Sequence, residues 1–188
     1  MFSGYSQARV STSDMLYGLE RLGVNCGPED GQLLVTRYDS DGDQKLGFWE
    51  FSNIFMPADG DLRDDLERKQ AVWEISASTK DAIRHCLRRV IDSEQMVESI
   101  RQRIDRETSV SLRSAFDSMD RFNRGYLSFG DFQAAFDYQT GMTGVDVSGS
   151  PSDLDCLIKR FNKDKLNGRV SMPEFIEELT FRAPEKKY

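Results

Sequence analysis

The sequence predicts an all-α protein in which helices flank short polar loops. Three observations lead to this fold class. An acidic loop pattern recurs in degraded form, apolar residues stand at helical spacing beside the loops, and a charged middle segment has an apolar residue every seven positions. The 188 residues are enough to bury the core of one large domain or of two small ones.

Composition and charge exclude several classes of function. A formal charge of −7 argues against nucleic acid or an anionic membrane as the main partner. No apolar run approaches the roughly 20 residues that span a bilayer. The three cysteines are far apart and lack metal-type spacing, so we expect reduced thiols in a cytoplasmic protein. One histidine and no nucleophile or phosphate-binding motif predict that the protein is not an enzyme.

The strongest motif is YDSDGDQKLGFWEF, residues 38–51. Three aspartates occupy alternate positions, and a glutamate stands at the twelfth position counted from the first of them. Oxygen ligands with this spacing wrap one hard cation, and calcium takes about six to eight oxygens, including both oxygens of one carboxylate. We therefore predict a principal calcium site formed by the side chains of Asp39, Asp41, Asp43 and Glu50 and the backbone carbonyl of Lys45.

The sixth position of this loop, where the chain must bend sharply, holds Gln44 instead of glycine. A residue with a Cβ at positive φ costs on the order of 1–2 kcal/mol. If calcium binding bore the whole cost, the affinity would fall about five- to thirtyfold, which weakens the site without abolishing it. Gly42, two residues earlier, offers a second place to bend. The alternative is an acidic turn that keeps the fold and holds no ion.

Three further stretches repeat the loop pattern. They read MFSGYSQARVSTSDML at the start, FDSMDRFNRGYLSFGDF around residue 120 and KRFNKDKLNGRVSMPEF near the end. With these loops the chain resembles the EF-hand superfamily of calmodulin-like helix–loop–helix proteins. The resemblance implies that the loops pair through short β-bridges at their eighth positions, which here joins Val10 to Leu46 and Leu127 to Val170.

The resemblance also implies a division of the chain into parts. It covers roughly the two ends, and a helical insertion separates them. The predicted parts are 1–58, an EF-hand pair with an incomplete first hand, 59–107, a helical spacer, and 108–188, a degenerate EF-hand pair.

The third loop, DRFNRGYLSFGD, keeps its glycine but loses its ligands. Phe122 and Arg124 stand where the second loop has aspartates, and Asp131 is a shorter acid than glutamate. An arginine directed into a cation cage opposes metal binding electrostatically. We therefore predict a folded loop without a metal.

The ligands of the fourth loop depend on how it is aligned. Counted back from Gly168 and Glu174, it places Lys163 and Lys165 at ligand positions, which excludes calcium. Counted forward from Phe161, it contains one inserted residue and binds calcium weakly at best. The ligands would then be Asn162, Asp164, Asn167 and Glu174.

The first loop offers one carboxylate, Asp14, beside Ser3, Tyr5 and Gln7, and has Ala8 at the bend. Its entering helix is absent from this sequence. Either the chain is a piece of a longer protein, or the first hand is permanently half-formed. We expect this hand to complete the lobe of the second hand.

Helix signals flank the loops. Ser11 or Ser13 can cap the first exiting helix, and Pro28 suits the first turn of the helix that follows. Ser152 opens the capping-box-like sequence SDLD, and the glycine- and serine-rich residues 140–152 predict a flexible connector.

The middle segment contains a predicted long helix that Thr79 can cap and that runs to Glu107. Its apolar residues recur at heptad spacing over three repeats, the lower limit for a coiled coil. The favoured interpretation is an amphipathic helix that packs on a lobe or on its neighbouring helix. The other is a seam for a protein partner, formed by Ile83, Val90, Val97 and Ile104.

Two functions agree with these features. In the first, the protein binds calcium through its second loop and acts as a sensor or adaptor that meets a protein partner or target helix. In the second, it is a calcium-independent scaffold held permanently in a larger assembly. The resemblance implies a cytoskeletal or axonemal assembly, since EF-hand proteins with degenerate loops occur there. The nearly complete ligand set of the second loop favours the first function.

Overall fold

The computed structural model describes residues 9–57, 59–69, 74–107, 111–144, 149–162 and 168–182. These residues form helices joined by short loops, together with two small antiparallel strand pairs. The predicted all-α fold is therefore confirmed.

The chain divides into two compact units, Met1–Ile100 with Arg182–Tyr188 and Arg101–Phe181. The predicted boundaries at 1–58, 59–107 and 108–188 stay a prediction, since compactness does not show which parts fold independently.

The elements of the first unit follow one another in chain order. They are β1 (Val10–Ser11), α1 (Thr12–Arg21), α2 (Pro28–Tyr38), β2 (Lys45–Leu46), α3 (Phe48–Asn53), α4 (Gly60–Glu67) and most of α5 (Ala77–Arg106). The elements of the second unit are the last six residues of α5, α6 (Leu112–Met119), β3 (Tyr126–Leu127), α7 (Phe129–Thr143), α8 (Pro151–Phe161), β4 (Val170–Ser171) and α9 (Met172–Leu179).

Both predicted β-bridges are present. Val10 pairs with Leu46 between β1 and β2, and Leu127 pairs with Val170 between β3 and β4. Three of these four side chains are fully buried, and Val10 packs against the core of the first unit. The bridges therefore fix the register of each loop pair and anchor it to the apolar interior.

Local capping sets the start of the first two helices. The Ser11 hydroxyl accepts the N–H of Asp14 (3.2 Å), while the Asp14 carboxylate accepts the N–H of Ser11 (3.0 Å). This reciprocal capping box selects Ser11 over Ser13 as the cap of α1. α2 begins at Pro28, as predicted.

The core of the first unit combines side chains from both hands with two residues of α5. It consists of Met15, Leu19, Val24, Leu34, Val35, Leu46, Ile54, Leu87 and Ile91. The middle helix thus packs on the first unit, which is the interpretation that the sequence favoured.

α5 begins earlier than expected. The Ser76 hydroxyl accepts the N–H of Thr79 (3.1 Å), and the Ser76 carbonyl accepts the N–H of Lys80 (3.0 Å). Thr79 therefore lies inside the first turn, and the predicted cap at Thr79 is wrong. Serine and threonine are both good caps, so the residue types alone do not separate them.

The buried face of α5 carries charged residues beside its apolar ones. Leu87, Ile91, Glu94, Glu98 and Arg101 are all buried, at spacings of three and four. Charged residues can be buried only with partners. The carboxylate of Glu94 lies 3.7 Å from Arg37 of α2. The carboxylate of Glu98 accepts the backbone N–H of Arg182 (3.0 Å), which belongs to the same unit.

The second unit has a separate core rich in phenylalanine. It consists of Phe116, Leu127, Phe132, Leu154, Ile158, Phe161, Val170 and Phe175. The rings of Phe161 and Phe175 stack with centroids 5.6 Å apart, and Phe116 meets Phe175 edge to face. All four helices of the two hands contribute to this core.

A buried ion pair supports the second unit. Arg101 is 1% exposed, and its guanidinium donates to the carbonyl (2.6 Å) and to the carboxylate (2.6 Å) of Glu178. Arg160 donates to the same carboxylate (2.7 Å). One buried carboxylate therefore serves two cations, so the loss of Glu178 would leave both without this partner.

The segment predicted as a connector, residues 140–152, is partly helical. α7 continues to Thr143 and ends at Gly144, which adopts left-handed φ (67°) as its C-cap. Ser150, not Ser152, caps α8 by accepting the N–H of Asp153 (3.2 Å). Proline at the first helical position, with its fixed φ, favours this earlier start.

Other predictions concern the chain as a whole. In the part of the chain that the structure describes, no helix is long and apolar enough to cross a membrane. Cys26, Cys86 and Cys156 are free thiols, as expected.

Candidate cation site in the second loop

The second loop connects α2 to α3 and brings three carboxylates together. Asp39 is the C-cap of α2, and Asp41 and Asp43 follow it before β2. One oxygen from each of the three side chains lies within 4.8 Å of the others. Carboxylate oxygens gathered at this distance are the donor type that a hard divalent cation prefers.

The bend of this loop is formed at Gln44, which has φ 63°, with Gly42 also at positive φ (77°). Asp39 holds the bend, because its two carboxylate oxygens accept the N–H groups of Gly42 (2.8 Å) and Gln44 (2.8 Å). The cost of the strained backbone is therefore borne by folding. The free energy of calcium binding then does not include this cost. The loss of affinity of about five- to thirtyfold given by the sequence analysis applied only if calcium binding bore the whole cost.

The glutamate at the twelfth position is engaged in hydrogen bonds. One oxygen of Glu50 accepts the N–H (2.7 Å) and the hydroxyl (2.7 Å) of Ser40, and the other accepts the N–H of Gly47 (2.8 Å). Burial raises the pKa of Glu50, but these hydrogen bonds outweigh it and lower the pKa below its usual value. Glu50 is thus held as a carboxylate, and it must exchange these partners to give both oxygens to a cation.

An arginine that the sequence analysis did not identify reaches this loop. The Nη1 atom of Arg9 contacts the carboxylate of Asp41 (3.0 Å) and also that of Asp43. The hydrogen bond from Arg9 is the largest cause that lowers the pKa of Asp41. A signal was present, because Arg9 directly precedes Val10, whose pairing with Leu46 brings the first loop beside the second.

The donor set of the second loop fits calcium. Three aspartate carboxylates are gathered, the carboxylate of Glu50 lies in the same loop, and the carbonyl of Lys45 belongs to β2. All of these donors are oxygens, as calcium requires. Together they would bind the ion directly, and Arg9 supplies the positive charge that faces Asp41 and Asp43 in this structure.

The third loop holds its own cation. The guanidinium of Arg124 pairs with Asp131 at the twelfth position and lies 3.9 Å from Asp120 at the first. Asp120 also accepts the N–H groups of Arg124 (3.0 Å) and Gly125 (2.7 Å), which closes the loop. The Arg124 guanidinium thus contacts the carboxylates at both ends of the loop, and the predicted absence of a metal from this loop stays a prediction.

Aromatic rings cover this arginine. Arg124 lies over the rings of Phe122 (5.4 Å) and Tyr126 (4.9 Å), and Arg169 lies over Tyr126 (4.4 Å). Such cation–π contacts stabilise a guanidinium modestly at partly exposed sites. Phe122, which stands at a ligand position of the loop, thus helps to hold Arg124 in place together with Tyr126.

Most of the fourth loop, residues 163–167, lies outside the described residues, and with it the candidate ligands Asp164 and Asn167. Asn162 is buried and is the C-cap of α8. The carboxylate of Glu174 accepts the N–H (2.8 Å) and hydroxyl (2.6 Å) of Ser171. These four candidate ligands stay a prediction.

The first loop is also only partly described. Ser3, Tyr5 and Gln7 lie outside the described residues. Asp14, the single carboxylate of this loop, serves the capping box of α1 through Ser11.

The predicted partner seam on α5 lies next to its buried face. Ile83 and Val90 are half-buried and pack against the core of the first unit. Val97 and Ile104 are also half-buried. The core therefore already uses part of the surface that a partner would contact, and the seam stays a prediction.

The chain contains helix–loop–helix motifs paired by β-bridges, and the second loop is acidic. This combination is typical of the class of proteins that bind a cation in a loop between two helices. Residues 109–180 match the family model of an EF-hand domain pair, which places this part of the chain in the EF-hand superfamily. EF-hand pairs are in general calcium-binding and non-enzymatic modules. No curated protein matches the chain.

Proposed function

We propose that the protein is a calcium-binding EF-hand interaction protein whose principal site is the second loop. The observation that carries this proposal is the gathering of Asp39, Asp41 and Asp43 within 4.8 Å, in a loop that already has the required bend. Glu50, at the twelfth position, would complete the site with both of its oxygens.

The proposed role is that of a sensor or adaptor for a protein partner. Phe48 and Trp49 are adjacent aromatic residues, 56% and 66% exposed, and they immediately precede Glu50 at the start of α3. A change in the hydrogen bonds of Glu50 would therefore alter the surroundings of this adjacent aromatic pair. The free cysteines support a cytoplasmic location, and the absence of catalytic motifs supports a function without enzymatic activity.

The second candidate is a calcium-independent scaffold in a larger, cytoskeletal assembly. The arginine in the third loop favours it, because Arg124 pairs with Asp131, the carboxylate at the twelfth position of that loop. In this case the second loop would also serve only to hold its pair of helices together.

Calcium titration separates the two candidates. The full chain would be titrated by calorimetry in excess magnesium, with Trp49 fluorescence followed in a Trp73→Phe background that leaves one tryptophan. Glu50→Gln keeps the shape of the side chain but removes the carboxylate, and we expect it to lower calcium affinity at least about tenfold. The matched control is Glu67→Gln on exposed α4, where the same charge is removed from an ion pair with Arg63.

A single micromolar site that Glu50→Gln weakens and Glu67→Gln preserves would support the proposal, and a concurrent change in Trp49 fluorescence would support the sensor role. Binding that both variants retain would assign the ion to another loop. An absence of heat up to millimolar calcium would leave the scaffold as the function.

A further inference from the structure

Arg9 contacts the carboxylates that would bind a cation in the second loop. Its Nη1 atom contacts two of the three gathered carboxylates, Asp41 and Asp43, across more than 30 residues of sequence. The contact is partly exposed, with the side chains of Arg9, Asp41 and Asp43 at 41%, 49% and 35% of full exposure. A side chain in this position can leave for solvent without disrupting the core.

A guanidinium and a calcium ion compete for the same two carboxylates, because each is a cation that the negative charge of Asp41 and Asp43 attracts. Asp41 and Asp43 occupy the third and fifth positions of the loop, which supply direct ligands in a calcium-binding loop. Calcium at these positions would also meet the positive charge of Arg9 at short range, and like charges repel. Calcium binding therefore favours withdrawal of Arg9 from these carboxylates.

The third loop provides an internal comparison. Arg124 pairs there with Asp120 and Asp131, whose side chains are only 5% and 7% exposed, and it belongs to the same loop. Arg9 reaches its carboxylates from the paired loop and at an exposed position. The same chemistry thus occurs in two forms, one enclosed within its own loop and one open to displacement.

We infer that Arg9 is a tethered competitor of calcium in the second loop, which lowers the affinity of this site and couples its occupancy to the first loop. The inference rests on the proposed function of the second loop. It assigns to the first hand a role beyond completing the core, because that hand supplies the competing charge.

The size of the effect follows from the exposure of the ion pairs. Exposed pairs each change an equilibrium by about 1.4- to fivefold, so loss of both contacts should raise calcium affinity by about two- to twenty-fivefold. Because exposed charges are screened by salt, the effect should be largest at low ionic strength. A role of Arg9 in folding alone would not produce this salt dependence.

The test compares Arg9→Gln with the wild-type chain by calcium calorimetry at about 0.01 M and about 1 M salt, where the Debye length is about 30 Å and about 3 Å. Arg68→Gln is the matched control, since Arg68 is an exposed arginine of the same unit that pairs with carboxylates of α4. Nitrogen NMR of the Arg9 guanidinium provides a readout besides affinity, because displacement by calcium should shift its resonances.

Three results are distinguishable. Tighter binding by Arg9→Gln than by Arg68→Gln at low salt, with a smaller difference at high salt, would support the inference. Equal calcium affinity of Arg9→Gln and wild type, or an unshifted Arg9 signal at saturating calcium, would overturn it while leaving the proposed function intact. A complete lack of calcium binding in all variants would overturn both.

Discussion

Removal of Arg124 tests whether a side-chain cation holds the third loop together. Arg124→Gln keeps a side chain of similar length but removes the charge that faces Asp131 and Asp120. Both carboxylates would remain in the loop, where they are buried, without a cation. We expect the loop to lose stability, because a buried charge without its partner carries a desolvation penalty.

The magnitude follows from the exposure of the pair. Removing one partner of a buried ion pair costs about 3–5 kcal/mol. The Arg124 side chain is 32% exposed, and Ser128 still donates two hydrogen bonds to Asp131, so the penalty is reduced. We expect the free energy of unfolding to fall by about 2 kcal/mol, including the lost contacts with Phe122 and Tyr126.

The assay is urea unfolding of the full chain at a series of pH values. Burial raises the pKa of Asp131, but hydrogen bonds from Ser128 and the charge of Arg124 together lower it by more than burial raises it. The pKa of Asp131 is therefore below its usual value. The stability that Asp131 contributes is therefore full above the unfolded pKa of about 3.9 and is lost as the pH falls through the lower folded pKa. The difference between wild type and Arg124→Gln should be largest at pH 7 and should shrink toward pH 3.

Arg121→Gln is the matched control, since Arg121 is an exposed arginine in the same loop. Its substitution should change the free energy of unfolding by less than about 0.5 kcal/mol. If the two variants have equal unfolding midpoints at pH 7, or if the Arg124→Gln defect is independent of pH, the ion pair does not hold the loop and the reasoning is refuted.

Two further changes test the second loop and the middle helix. Gln44→Gly should raise the free energy of unfolding, measured in urea, by about 1 kcal/mol, because glycine adopts positive φ without strain. It should change calcium affinity by less than about fivefold, because a hydrogen bond to Asp39 already holds the bend. A larger gain in affinity measured by calorimetry would assign the strain to binding. Leu87→Ala should cost about 2–5 kcal/mol because Leu87 is 3% exposed in the core, whereas Met96→Ala, at a position 68% exposed on the same helix, should stay within about 0.5 kcal/mol. Similar unfolding curves for the two alanine variants would contradict the packing of α5 on the first unit.

The features that could be predicted from sequence depend on a few consecutive residues. Alternating aspartates mark the second loop, and a glycine or its substitute marks the bend at a fixed offset. The eighth position then fixes the pairing of Val10 with Leu46, since a β-bridge in this fold joins equivalent positions. A proline at the first helical position predicts the start of α2 correctly for the same local reason.

Local reasoning failed where neighbouring residues offer equivalent chemistry. Ser76 and Thr79 are both competent caps, as are Ser150 and Ser152, and the difference lies in which hydroxyl meets a free N–H of the folded helix. Heptad spacing likewise emphasised an apolar row on α5, because buried Glu94 and Glu98 cannot be recognised without the groups that they contact.

The sequence by itself determined the all-α fold, the positions of the loops and the set of carboxylates in the second loop. Only the tertiary structure decided that Arg9 lies on two of those carboxylates and that Arg124 pairs with Asp131. Spacing along the chain specifies which groups can serve as ligands. Which cation faces them depends on side chains that folding brings into contact, and electrostatic attraction acts on distance in space whatever the separation in sequence.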